Sequence, residues 1–145
     1  MSQGNVEIAQ RIYQILAEQG VNEQAFLAMI DAGLAEPDAE LDFRTAYPDG
    51  EVWRFDGIGK FFDSQPWGRS IRFEAESFKA VGDHRVLVFV RVHGVGGASG
   101  VAVEGRFAHL GTFRGSRLVR TEVYTDRSKA LEAAGLREWD SGPGG

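Results

Sequence analysis

The chain has 145 residues, 43% of them hydrophobic and 26% charged, with a net charge of −5 and no cysteine. That length suits one domain with a sizeable core, and the missing cysteines exclude disulfides, thiolate metal sites and cysteine nucleophiles. Arginine outnumbers lysine 13 to 3, but acidic and basic residues interleave, so no basic face for nucleic acid stands out.

Met1–Glu7 has no basic segment followed by an apolar core, so it does not read as a signal peptide. Apolar runs such as Val86–Val90 are far too short to span a membrane. The expectation is a cytoplasmic protein with no membrane partner.

Val6, Ile8, Ile12, Tyr13, Ile15 and Leu16 recur near helical spacing before Gly20, which predicts an amphipathic helix over 4–19. Asn22 is placed to cap a second helix carrying Ala25, Phe26, Leu27, Met29, Ile30 and Leu34, which Glu36-Pro37-Asp38 would end. Short strands follow at 39–43 and 51–55, separated by the turn chemistry of Tyr47-Pro48-Asp49-Gly50. A third helix is expected over 57–63.

From residue 70 the apolar period changes to two, and 71–80, 85–95, 101–114 and 117–125 read as four long strands joined by short, glycine-bearing links. Gly105 and Gly111 are the places within strands where bends or bulges would curve the sheet. A short helix over 128–136 closes the domain, set at 1–137, and the polar, glycine-rich 138–145 reads as a disordered tail. Helices followed by long antiparallel strands give an α+β class.

The phrases Asn5-Val-Glu-Ile-Ala-Gln-Arg-Ile-Tyr13, Phe55-Asp-Gly-Ile-Gly-Lys-Phe-Phe62 and Arg106–Asp126, in that order and spacing, resemble SnoaL-like proteins of the nuclear transport factor 2-like superfamily. The resemblance covers residues 5 to about 136. It implies a cone-shaped barrel in which three N-terminal helices pack on a strongly curved mixed, mostly antiparallel sheet, with a short C-terminal helix. It also implies a pocket between the layers and a homodimer formed through the outer sheet face. The superfamily includes cyclases, isomerases, hydrolases and proteins without catalysis, so the pocket residues must decide the function.

Two catalytic carboxylates of the family are replaced. Where ketosteroid isomerase-like members carry a base, this sequence has Phe43, and strand alternation turns the preceding Asp42 away. Where SnoaL-type cyclases carry an aspartate in the last strand, alignment from Gly115-Ser116 gives Val123. Asp126, three residues on, reads as the cap of the last helix.

His109 falls where isomerases of the family place a pocket hydrogen-bond donor, and it is the candidate catalytic residue, as donor or base. A core histidine satisfied by a protein partner is the alternative. Alternation over 85–93 groups Leu87, Phe89, Arg91 and His93 against Val86, Val88, Val90 and Val92. The resemblance places Arg91 and Phe89 inward, with Arg91 holding a carbonyl or carboxylate oxygen, and a bulge would reverse this. A strict two-residue turn at Gly115-Ser116 would instead set His109 opposite Glu122.

Tyr13, Phe43, Trp53, Trp67, Phe107 and Val123 complete the expected ligand-binding set, with both tryptophans at the mouth. The ligand expected is a small apolar or carbonyl-containing molecule. No cofactor is expected: Gly94–Gly100 lacks the full dinucleotide fingerprint, and no Gly-x-Ser-x-Gly elbow exists. His84, His93 and His109 lack the spacing of metal ligands.

Overall fold

A computed structural model describes residues 2–64, 71–95 and 102–136. The elements run α1 (Ser2–Gln19), α2 (Glu23–Asp31), β1 (Ala35–Asp42), β2 (Val52–Arg54), a 3-10 turn (Phe55–Gly57) and α3 (Ile58–Ser64). They continue with β3 (Arg72–Val81), β4 (Arg85–Val95), β5 (Ala102–Arg114), β6 (Arg117–Tyr124) and α4 (Arg127–Ala133). The expected α+β class is the one observed. The helix order differs from three N-terminal helices, because α3 follows the first two strands. The boundary at 137 and the tail at 138–145 lie outside the described residues.

One six-stranded sheet runs β2-β1-β6-β5-β4-β3. It is mixed: β1 pairs parallel to β6, and the other neighbours are antiparallel. Three register shifts bend it, in β1 between Ala35 and Glu40, in β3 between Ala75 and Ser77, and in β6 between Leu118 and Arg120.

The first shift corrects the expectation that Glu36-Pro37-Asp38 ends a helix. Those residues lie within β1, in the stretch where neither neighbour pairs regularly, so the missing proline N–H costs no ladder bond.

Asn22 caps α2 by accepting from the Ala25 backbone N–H at 3.0 Å, and Asp126 caps α4 by accepting from Ser128 N–H at 2.9 Å. Asn5, buried in α1, donates to the Asp83 carbonyl at 3.1 Å and pins that helix to the β3–β4 turn.

The core divides across the sheet. On the inner side α1, α2 and α3 pack against Val86, Val88, Val90, Val92, Phe113, Leu118 and Val123. On the outer side α4 roofs Leu87, Phe89, Ala108, Leu110 and Tyr124 through Ala130 and Ala134. Arg127 fastens this roof: it donates to the Phe107 and Val90 carbonyls at 3.2 and 3.3 Å, pairs with Glu76 at 2.5 Å, and lies 4.4 Å from the Phe89 ring centre.

Candidate functional site

Register decides which residues meet. Val88 pairs with His109 and His109 with Val123, while Val86 pairs with Gly111 and Gly111 with Thr121. Leu41 continues the second row beside Thr121, and Trp53 beside Leu41. These two rows form the floor of a cavity of about 570 Å³, whose other walls come from the helices, including Ile12, Tyr13, Leu16, Phe26 and Met29. That volume falls in the range of small-molecule sites.

Phe43 and Phe61 stack at 4.7 Å, with Trp53 5.4 Å from Phe61. Tyr47, Asp49 and Glu51 form an exposed part of the mouth. A Cβ on Gly50 would lie 2.0 Å from the Phe43 carbonyl oxygen, so the loop behind that mouth can close only on glycine.

Of the expected set, Tyr13, Phe43, Trp53, Phe107, His109 and Val123 line this cavity. Trp67 lies outside the described residues. Phe89 and Arg91 do not line it, which corrects their inward placement. Val86, Val88 and Val92 of β4 line the pocket and Val90 lies in the inner core with them, whereas Phe89 is buried under α4. Arg91 lies on the outer face, 3.6 Å from Glu76 and 3.8 Å from Glu104. His93 neighbours Glu74 and Glu104 there. Both faces of β4 carry apolar residues because both are covered, so alternation alone had no preferred direction.

The β5–β6 turn has two residues, Gly115 and Ser116, both at positive φ (58° and 71°). The extra residue at Val119 then shifts the pairing, setting Val123 rather than Glu122 opposite His109. Glu122 stands opposite Leu110 on the outer face and accepts from the Tyr124 hydroxyl at 3.2 Å. Asp42, only 2% exposed, also points outward, where Arg44 binds it through two side-chain nitrogens at 3.0 and 2.9 Å and Arg120 pairs with it as well. The Arg44 hydrogen bonds hold its carboxyl below the usual range.

Inside, two polar side chains meet. The Tyr13 hydroxyl and His109 Nδ1 are 2.6 Å apart. The Phe73 ring meets the imidazole edge-to-face at 5.1 Å. His109 is 4% exposed, and burial lowers its pKa to about 4; burial also pushes the Tyr13 phenol well above its ordinary value. Both groups are neutral at pH 7.

A neutral imidazole has one donor and one acceptor nitrogen. If the phenol donates to Nδ1, the Nε2–H remains to donate; if Nδ1–H donates to the phenol oxygen, the phenol O–H remains. Either arrangement leaves the pair one donor, and among the described residues His109 has no second hydrogen-bond partner. A histidine with so low a pKa is a poor proton acceptor. The pair is built to donate to an oxygen rather than to abstract a proton.

The role of Tyr13 as partner to His109 was not legible in sequence, since 96 residues separate them. Thr121, 7% exposed on the cavity floor, was missed as well. Among the described residues, no three His, Cys, Asp or Glu side chains converge to hold a metal ion, and no helix is long and apolar enough to cross a membrane.

No protein-family model matches the chain, and no curated protein does. Among solved structures it is similar to TerC co-crystallised with polyporic acid, at 22% identity over 91% of this chain and 98% of that chain, with a TM-score of 0.64. It is similar to a nuclear transport factor 2-like protein of unknown function from Burkholderia pseudomallei (17% identity, 89% and 95% covered, TM-score 0.61). A provisionally assigned SnoaL-like polyketide cyclase from Jannaschia sp. CCS1 gives 16% identity, 91% and 92% coverage and a TM-score of 0.60. The chain therefore has the nuclear transport factor 2-like fold.

Proposed function

We propose that this chain is a SnoaL-like pocket protein that binds a small, largely apolar molecule and holds one of its oxygens, a carbonyl or hydroxyl, at the Tyr13–His109 pair. The observation that carries this reading is the donor left over at the Tyr13–His109 pair inside a cavity lined chiefly by aromatic and aliphatic side chains. A buried donor without a partner is costly, and a ligand oxygen satisfies it. Polyporic acid, present with TerC, is a natural first probe.

Phe43 and Val123 at the two carboxylate positions favour binding over catalysis. The enzyme reading, cofactor-free isomerase, cyclase or hydrolase chemistry, keeps support from the same pair. The one donor this neutral pair has left, held in an apolar site, would stabilise a developing oxyanion. In that reading the free donor of the Tyr13–His109 pair polarises the carbonyl, and the attacking base comes from the substrate or from water.

Calorimetric titration with polyporic acid and with 2-naphthol tests the binding role. Replacing His109→Phe, which keeps the ring and removes the nitrogens, is expected to weaken whichever probe binds about 10- to 100-fold. Unchanged affinity would remove His109 from the site.

We further propose a cytoplasmic homodimer built on the outer sheet face, where the ion pairs of Arg91, Glu104, Arg120 and Glu40 remain partly exposed. Light scattering should give twice the 15.9 kDa chain mass; a monomer mass would reject the dimer and leave the pocket untouched.

A further inference from the structure

Besides the Trp53 indole, the strands contribute His109 and Thr121 as polar side chains to the cavity floor among the described residues. Thr121 sits one inward position along β6 from Val123, the residue opposite His109, so the two are diagonal neighbours on adjacent strands. Such a diagonal separates the bases of the two side chains by roughly 7 Å, close enough for one ring-sized ligand to reach both.

Thr121 is 7% exposed, and its hydroxyl has no hydrogen-bond partner among the described residues. Valine has the same shape and would fill the place without stranding a hydroxyl, so packing does not account for threonine here. Leu41 and Gly111 flank it across the sheet, and neither carries a polar side chain to satisfy it.

We propose that Thr121 is the second anchor of the pocket ligand, which therefore carries two oxygens on one ring system, as a quinone or a hydroxylated aryl ketone does. This deepens the reading of the Tyr13–His109 pair and rests on it. The pair donates to one oxygen and the Thr121 hydroxyl to the other.

The test compares the intact chain and Thr121→Val against 2-naphthol, with one oxygen, and 1,4-naphthoquinone, with two across the ring; the absence of cysteine removes the usual thiol reaction of the quinone. Thr121→Val should bind the quinone about 10-fold more weakly, bind 2-naphthol as before, and melt no lower than the parent. Equal losses for both probes, or none, would overturn the second anchor while leaving the dyad reading intact. A lower melting temperature with no change in quinone affinity would also overturn it, by giving the hydroxyl a structural role. Failure of the intact chain to bind either probe would overturn both readings.

Discussion

Between pH 7 and pH 4 the protein should lose about 3 kcal/mol of stability through His109 alone. The sign follows from the direction of its shift. Burial lowers the folded-state pKa from 6.5 to about 4, so below pH 6.5 the unfolded chain takes up a proton that the folded chain refuses. Stability contributed by the neutral ring is full above pH 6.5 and falls until the folded ring itself protonates near pH 4. His109→Phe has no such group, so the stability difference between parent and variant, from urea unfolding at several pH values, should change by that amount across this window. A difference independent of pH would mean that the ring is solvated and that the pocket interior is not as apolar as its lining implies.

The other large effect lies outside the pocket. Asp42→Ala should cost about 3 kcal/mol, lowering the melting temperature by about 10 °C. The Asp42 carboxylate is buried at 2% exposure, receives both the Arg44 backbone N–H at 2.9 Å and its guanidinium, and pairs with Arg120 across the parallel β1–β6 step. Removing it leaves the Arg44 guanidinium and a backbone donor without their acceptor, and Arg120 with Glu40 alone, at the point where the sheet changes direction. Because Arg44 lowers its pKa, this contribution is held above the ordinary carboxyl value and lost only as pH falls through the lowered one, below the His109 window. A loss under about 1 kcal/mol would class the cluster with ordinary surface ion pairs.

These two sites show where sequence reasoning succeeded and where it stopped. Periodicity located β4 at its observed bounds, Arg85–Val95, and capping chemistry located the starts of α2 and α4. Alternation also turned Asp42 outward from Phe43. It could not orient β4, because Val88 and Phe89 are both buried, one in each core, and α4 was not visible as the roof that makes an outward Phe89 favourable. Arg91 went inward with it for the same reason. Bulges were the second barrier: the extra residue at Val119 sets the parity of Thr121 and Val123, and no residue in Arg-Leu-Val-Arg-Thr-Glu announces it. Long-range pairing was the third, since nothing near Tyr13 in sequence points to an imidazole on β5.

The pocket reading is tested most directly by a crystal structure after soaking with a panel of small oxygen-bearing aromatics: 2-naphthol, 4-hydroxyacetophenone, 1,4-naphthoquinone and polyporic acid. The expected result is density for a panel member inside the cavity, with one oxygen within hydrogen-bonding distance of His109 Nε2 or the Tyr13 hydroxyl. A cavity that takes none of them, or that holds them with their oxygens turned away from that pair, would contradict it.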